Sequence, residues 1–238
     1  MWAEFTISGI QDIQWNDLPF DALVLPAKKK DLLRALVQQA TSESDNDNDM
    51  LKPFDDFVED KGQGLVILLH GSPGVGKTLT AEAISEYQRR PLYRVTAGDL
   101  DLDSQKLESK LVQILDLATR WKAIVLLDEA DVFVESRVLH SLHHNTLVSV
   151  FLRQLEYFQG VMILTTNRVT VFDDAIKSRI HLGIKYDDLN QKARVKIWTT
   201  FIERADSTSS EGLKSTVTER QMQELAQRPS NGRQVWSL

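Results

Sequence analysis

Short segments rich in apolar and β-branched residues recur along the chain, separated by stretches of helical character. They cover residues 65–69, 92–96, 123–127, 161–166 and 180–184. Apolar runs of this length are typical of parallel strands that are buried on both faces. The alternation of strand and helix therefore predicts an α/β fold built from βαβ units.

The helix predicted between the second and third strands has the clearest amphipathic spacing. Asp103 or Ser104 can cap its N-terminus, and apolar residues follow at intervals of three and four. They are Leu107, Leu111, Ile114, Leu115 and Ala118. Helical sequence also covers residues 79–87 and 145–158, and a short helical stretch begins near Asp173.

Further elements are predicted on both sides of this series. Residues 1–50 contain a strand-like segment at 5–7, an apolar turn at 23–26, a helix over 29–39 and an acidic flexible loop over 41–49. Helices are predicted over 188–204 and 218–227, the second opened by the capping pattern Thr218-x-x-Gln221. Only seven residues follow Asn231, so we expect a third helix there to be incomplete.

Composition argues against several classes of protein. The 238 residues, 42% of them hydrophobic, suffice for one large domain or for a large and a small one. A net charge of −6 argues against a surface that binds nucleic acid or anionic membranes. The chain has no cysteine, which favours an intracellular, cytoplasmic setting. We expect neither a membrane segment nor a signal peptide.

The segment after the first predicted strand matches the phosphate-binding pattern G-x-x-x-x-G-K-S/T. It consists of Gly71, Ser72, Pro73, Gly74, Val75, Gly76, Lys77 and Thr78. Glycines let successive N–H groups point at phosphate oxygens, and the helix that continues through Leu79 directs its positive end at them. We expect Lys77 to contact the β- and γ-phosphates and Thr78 to bind Mg²⁺. A loop that merely links strand to helix is the weaker alternative.

Polar residues end the third and fourth predicted strands. Asp128 and Glu129 follow the third and Asn167 follows the fourth, which predicts that they share the carboxyl edge where open α/β folds bind ligands. We expect Asp128 to hold Mg²⁺ through water, Glu129 to polarise an attacking water, and Asn167 to contact the γ-phosphate. Without the phosphate-binding loop, the acids would be a solvated strand end and the Asn a turn residue.

The motifs GSPGVGKT, IVLLDEA, ILTTN and DDAIKSRI, in this order, resemble those of AAA+ ATPases. Longer stretches, such as LATRWKAIVLLDEADVF, are similar to a group of fungal AAA-type proteins, and the resemblance covers about residues 10 to 235. It implies a P-loop NTPase three-layer sandwich with five parallel strands in the order 5-1-4-3-2, followed by a helical lid. It also implies a homo-oligomeric, often hexameric ring with ATP at the subunit interfaces.

The resemblance assigns roles to individual residues. Lys77 and Thr78 belong to the Walker A motif, and Asp128 and Glu129 to the Walker B motif.

Asn167 corresponds to sensor 1, and Arg179 to an arginine finger supplied by a neighbouring subunit. Arg233, in the triplet NGR, falls where a sensor 2 arginine of the lid is found. The expected division of the chain is a lead-in over 1–50, a nucleotide-binding domain over 51–186 and an incomplete lid over 187–238.

The function implied by the resemblance is ATP binding and Mg²⁺-dependent ATP hydrolysis, coupled to remodelling of a macromolecular partner. The alternative is a nucleotide-controlled scaffold or assembly factor with little turnover, and Glu129 and Arg179 favour the enzyme. Protein-unfolding members carry an aromatic residue in the loop after the second strand, whereas residues 97–103 contain no aromatic residue and three acids. This composition weakens a threading mechanism.

Two other clusters invite a metal-site interpretation. The acidic stretch 41–49 lacks the glycine and distal Glu of an EF-hand loop. His140, His143 and His144 have no nearby carboxylate or cysteine to complete a zinc site. We expect neither cluster to bind a metal.

Overall fold

A parallel sheet of five strands forms the centre of the molecule. The computed structural model describes residues 12–41, 64–100, 103–134, 142–168, 174–208, 217–227 and 231–232. Its strands are β1 (Leu65–Gly71), β2 (Leu92–Thr96), β3 (Ile124–Asp128), β4 (Val161–Thr166) and β5 (Leu182–Tyr186). They lie in the order β2-β3-β4-β1-β5, which is the predicted order 5-1-4-3-2 counted from the opposite edge. The predicted fold class is confirmed.

Helices precede, connect and follow the strands, because parallel strands need a crossover to return to the same edge of the sheet. They are α1 (Leu18–Ala22), α2 (Ala27–Thr41), α3 (Lys77–Tyr87), α4 (Ser104–Arg120), α5 (Asp131–Val134), α6 (Leu142–Tyr157), α7 (Asp174–Lys177), α8 (Gln191–Thr208) and α9 (Glu219–Gln227). A short 3₁₀ helix, Ala97–Asp99, follows β2.

Both faces of the sheet are covered, since alternate residues of each strand point in opposite directions. Leu65, Ile67 and Leu69 of β1 pack into a core with side chains from α1, α2 and α3. Val66 and Leu68 pack into a second core with side chains from α4, α5 and α6. The result is the expected three-layer sandwich.

The amphipathic prediction for α4 is confirmed in detail. The Asp103 carboxylate accepts hydrogen bonds from the backbone N–H groups of Gln105 and Lys106, both at 3.1 Å, and so caps the helix. All five predicted core positions of this helix are buried.

The predicted bounds of the fifth strand were wrong by two residues. Pairing with β1 begins at Leu182, opposite Ile67, and not at Ile180. His181 lies just before the ladder: its backbone N–H donates to Val66 O at 2.9 Å, and its Nδ1 accepts from the Val66 N–H at 3.0 Å. A side chain therefore takes the place of a ladder bond at the position where the strand was expected.

The lead-in contributes to the core beside α3. Phe20 of α1 and Leu33 and Val37 of α2 are buried there, and the Arg34 guanidinium lies 5.2 Å from the Phe20 ring centroid. The strand-like segment at 5–7 and the acidic residues after Thr41 lie outside the described residues.

The last two helices pack against each other, and Arg194 Nε of α8 donates to Ala226 O of α9 at 2.7 Å. Helix α8 begins three residues later than predicted, because the Asn190 carboxamide accepts from the Ala193 N–H at 2.9 Å and caps it. The capping pattern of α9 is confirmed, with Gln221 Oε1 accepting from the Thr218 N–H at 2.9 Å. Among the helices of the described segments, none is both long and apolar enough to cross a bilayer.

Candidate functional site

The loop between β1 and α3 depends on glycine backbone conformations. Gly74 and Gly76 have φ angles of 75° and 104°, in the left-handed region that side chains disfavour. Gly76 precedes the first residue of α3, so the N-terminal N–H groups of this helix face the loop. An anion bound there would meet both loop N–H groups and the positive end of the helix.

Lys77 is the first residue of α3, and its side chain turns back into the loop. Its ammonium donates to Gly71 O and Ser72 O, both at 2.8 Å, and to Asn167 Oδ1 at 2.9 Å. The residue is only 7% exposed. A positive charge is therefore held among neutral oxygens, which an anionic ligand can replace as partners.

Asp128, the last residue of β3, is buried and makes contacts on both carboxylate oxygens. Thr78 Oγ1 lies 3.1 Å from Oδ1, and Thr165 Oγ1 donates to Oδ1 at 2.5 Å. Arg94 of β2 donates to Oδ2 at 2.7 Å. A hydroxyl and a carboxylate at this separation are hard oxygen ligands of the kind Mg²⁺ prefers, and Mg²⁺ keeps other positions for water and phosphate. The residues present therefore fit that ion.

Glu129 follows Asp128 in an uncommon backbone conformation, with φ of 57°. Its N–H donates to Thr165 Oγ1 at 3.0 Å, and the next N–H, of Ala130, donates to Thr165 O at 2.8 Å. Non-glycine residues in this region occur often at functional sites, where surrounding contacts hold the conformation. Thr165 thus fixes the backbone that carries the exposed Glu129 side chain.

Asn167 at the end of β4 is positioned by Asp131 of α5. Asp131 Oδ1 accepts from the Asn167 N–H at 3.2 Å and also from the Thr166 hydroxyl. The backbone N–H of Asn167 is thus hydrogen-bonded to Asp131, while its carboxamide oxygen accepts from Lys77.

Arg179 lies apart from these residues, after α7. Its guanidinium pairs with Glu156 of α6 and donates to Ala175 O at 2.8 Å, and the side chain is 26% exposed. Arg233 lies outside the described residues, and so do His140 and the side chains of His143 and His144. Of the part of the chain that the structure describes, no group of three His, Cys, Asp or Glu residues is arranged to hold a metal.

Two ionisable side chains near the site have perturbed pKa values. Burial lowers the pKa of His70, and the charges of Lys185, Lys29 and Lys77 lower it further, so its ring is neutral at pH 7. Burial raises the pKa of Glu82 on α3. The charge of Arg94 lowers this pKa, and the charge of Asp128 raises it, with a net increase. Glu82 is thus electrostatically coupled to the Arg94–Asp128 pair.

A cavity of about 410 Å³ opens beside the loop at Val75. Its apolar wall includes Val24, Leu25 and Pro26 from the lead-in, Tyr186 at the end of β5 and Ala193 in the first turn of α8. This volume lies within the range of pockets that hold small organic ligands, about 300–1,000 Å³.

Four residues that contact the predicted site were missed from the sequence. They are Arg94, Asp131, Glu156 and Thr165. Arg94 could have been noticed as a charged residue inside a predicted strand, and Asp131 as the third acid in the run of Asp128, Glu129 and Asp131. Thr165 and Glu156 are ordinary members of a strand and a helix, and only the tertiary structure shows their contacts.

Comparison with known proteins shows the family to which this chain belongs. The model of the "ATPase family associated with various cellular activities (AAA)" matches residues 67–187. Human ATPase family AAA domain-containing protein 3B is 28% identical over 145 residues, which cover 58% of this chain and 22% of that protein. The 26S proteasome regulatory subunit 8 of Caenorhabditis elegans is 31% identical over 143 residues, 55% and 34% of the two chains.

A putative 26S proteasome regulatory subunit homolog of Methanocaldococcus jannaschii is also similar, at 30% identity over 159 residues, 63% of this chain and 43% of that protein. The chain thus spans less than half the length of these relatives.

Proposed function

Since this chain belongs to the AAA family of ATPases, we propose that its nucleotide site binds ATP with Mg²⁺ and hydrolyses ATP to ADP and phosphate. The observation that supports this most is the meeting of three elements at one edge of the sheet. Lys77 of α3 lies 2.9 Å from Asn167 after β4, and Thr78 lies 3.1 Å from Asp128 of β3.

Binding of the triphosphate uses the loop and the start of α3. The N–H groups of Gly71–Thr78, apart from Pro73, which has none, and of Leu79 surround the phosphates. Lys77 exchanges its carbonyl partners for β- and γ-phosphate oxygens. A charge-assisted bond to phosphate is stronger than a bond to a neutral carbonyl. The cavity beside Val75 holds the base, with Leu25 against its apolar face.

Thr78 and Asp128 are the residues that would hold Mg²⁺. When bound, Mg²⁺ neutralises negative charge that develops on the β- and γ-phosphates. Burial of Asp128 keeps its carboxylate in one orientation towards Thr78.

Hydrolysis requires a water activated at Glu129. Its carboxylate accepts a proton as the water oxygen bonds to the γ-phosphorus, and the bond from that phosphorus to the β–γ bridging oxygen breaks. Asn167 orients the water and the γ-phosphate. Arg233 contributes a further charge from the lid.

Arg179 completes the site of a neighbouring copy in a homo-oligomeric, hexameric ring. The Arg179–Glu156 pair supports a low rate in the isolated subunit, because the guanidinium is held by its own chain. Nucleotide-driven motion in the ring remodels a macromolecular partner. The second candidate function is that of a scaffold that binds ATP with little turnover. The Arg179–Glu156 pair favours the scaffold if no neighbouring subunit draws Arg179 away from Glu156.

Steady-state ATPase activity measured across protein concentration separates these two functions. For the enzyme, activity per subunit rises as rings assemble, because each site receives Arg179 from a neighbour. For the scaffold, activity per subunit stays near background at every concentration.

The variant Glu129→Gln tests the catalytic assignment. It keeps the shape of the side chain and removes the base, so ATP binding should persist while turnover falls by orders of magnitude. Glu108→Gln, which removes a carboxylate paired with Arg153 on the helical layer, is the control. Loss of ATP binding in Glu129→Gln would reject the assigned role.

A further inference from the structure

The carboxylate of Asp128 is paired with a cationic side chain of the protein, that of Arg94. Arg94 donates to its Oδ2 at 2.7 Å, and the same carboxylate contacts the Thr78 and Thr165 hydroxyls. The Asp128 side chain is 6% exposed and that of Arg94 is 48% exposed. A half-exposed guanidinium is thus bound to the buried acid of the proposed metal position.

Strand register explains why Arg94 meets Asp128. Arg94 of β2 is paired with Leu126 of β3, two residues before Asp128, and paired residues share a face of the sheet. Residues two apart on a strand also share a face and lie about 7 Å apart. The long Arg94 side chain spans that distance along the face covered by α3.

Helix α3 places a second acid near the same guanidinium. Glu82 is four residues after Thr78, so both lie on one side of the helix. Arg94 and Asp128 are the two charged groups that act on Glu82. A guanidinium leaving Asp128 therefore finds another carboxylate nearby.

We propose that Arg94 competes with the divalent cation for Asp128 and so sets the cation concentration at which the site fills. Without the cation, Arg94 compensates the buried Asp128 charge and keeps its carboxylate at Thr78. Loading requires Arg94 to leave Oδ2, since two cations on one carboxylate repel each other. Glu82 accepts the released guanidinium. This role rests on the proposed function, because it assumes a cation between Thr78 and the nucleotide.

Nucleotide binding at varied free Mg²⁺ tests the competition. The probe is N-methylanthraniloyl-ADP, followed by fluorescence, and the measured quantity is the free Mg²⁺ concentration for half-maximal binding. Arg94→Gln should lower this concentration about fivefold, a size suited to removal of one partly exposed ion pair. Arg153→Gln, a half-exposed arginine paired with Glu108, should leave it unchanged.

A second pair of variants tests the acceptor. Glu82→Gln should raise the half-saturating Mg²⁺ concentration in the otherwise native chain and have little effect in the Arg94→Gln background, because Glu82 acts through Arg94. Equal effects in both backgrounds would remove Glu82 from the proposal. Arg94→Lys, which keeps the charge, should lower the concentration less than Arg94→Gln and serves if the latter folds poorly.

The experiment gives different results if the competition of Arg94 with Mg²⁺ is wrong and if the nucleotide site itself is wrong. An unchanged or higher Mg²⁺ requirement in Arg94→Gln, with binding intact, overturns the competition. Failure of the unmodified chain to bind the probe at any Mg²⁺ concentration instead rejects the nucleotide site.

Discussion

The carboxamide oxygen of Asn167 accepts a hydrogen bond from the Lys77 ammonium at 2.9 Å. The two residues are 90 positions apart and come from the end of β4 and the start of α3. The strand order brings them together, because β4 lies directly beside β1. The two residues proposed to contact the γ-phosphate are therefore hydrogen-bonded to each other.

Replacement of Asn167 separates a role in hydrolysis from a role in binding. Asn167→Ala removes the contact to the attacking water, so we expect turnover to fall about 10²-fold, as on loss of one oriented polar group elsewhere. The ATP dissociation constant should change little, since Lys77 keeps Gly71 O and Ser72 O as partners.

Asn167→Asp gives the opposite pattern. The new carboxylate pairs with Lys77 and repels the γ-phosphate, so ATP binding itself should weaken. Calorimetric titration and steady-state assays on both variants measure the two effects, with Asn16→Ala as a control. Equal loss of binding in both would contradict the assignment of Asn167 to hydrolysis.

Variants of Arg179 and Glu156 test the proposed supply of Arg179 by a neighbouring subunit of the ring. Arg179→Ala should bind ATP almost normally and lose on the order of 10³–10⁵ in rate, the range known for arginine fingers. Mixing it with Lys77→Ala protein should restore part of the activity, because a mixed interface can join an intact loop to an intact Arg179. Absence of rescue in mixed rings verified by crosslinking would place Arg179 within its own subunit.

Glu156→Gln examines the contact that holds Arg179. Without the carboxylate the guanidinium is released, so activity per subunit should rise most at protein concentrations where subunits are partly assembled, because a neighbouring site then receives Arg179 without competition from Glu156. In the isolated subunit, activity should stay near background. Glu108→Gln on α4 serves as the comparison. Lower activity in Glu156→Gln would show that Glu156 positions Arg179 productively.

The sequence predicted well what depends on local spacing and on the shared carboxyl edge of parallel strands, and poorly the individual side-chain contacts between distant segments. The five buried positions of α4 follow from helical periodicity, and the loop between β1 and α3 follows from glycine spacing between a strand and a helix. The start of β5 was misplaced because His181 replaces a ladder bond to Val66, which no hydrophobic pattern encodes. Arg94 meets Asp128 only through the register of β2 on β3.

We expect His181 to make the free energy of unfolding depend on pH. Burial lowers its pKa, and its Nδ1 must be unprotonated to accept from the Val66 N–H. The unfolded chain, with a His pKa of about 6.5, binds the proton more readily. Stability should therefore be complete above that pH and decline as pH falls below it, by less than about 1.4 kcal/mol per pH unit given the half-exposed ring.

His181→Asn isolates this contribution. The Asn carboxamide oxygen can accept from Val66 without titrating, so urea unfolding between pH 5 and 8 should show a shallower decline than in the unmodified chain. His70 titrates in both proteins and cancels in the difference. Identical pH dependence of the two unfolding free energies would exclude His181 as the source.

Gly74 links the loop to the residues that follow α9. The Gly232 N–H donates to Gly74 O at 2.7 Å, and a Cβ on Gly74 would lie 2.8 Å from Asn231 Cγ. Gly74→Ala should destabilise the protein in two ways. The left-handed backbone costs about 1–2 kcal/mol with a side chain, and the new methyl displaces Asn231 from the loop.

A double-mutant cycle separates the two costs. In Gly74→Ala/Asn231→Ala the contacts with Asn231 Cγ and Oδ1 are gone and only the one with Cβ, at 3.1 Å, remains. The double variant should therefore be more stable than the sum of the single changes predicts, while the backbone cost remains. Gly76→Ala is the matched control: its φ is also positive, but nothing lies within 4 Å of an added Cβ. Its effect should add to that of Asn231→Ala. Additivity at Gly74 as well, measured by urea unfolding, would mean that Asn231 does not press on the loop in solution and that backbone strain alone explains the loss.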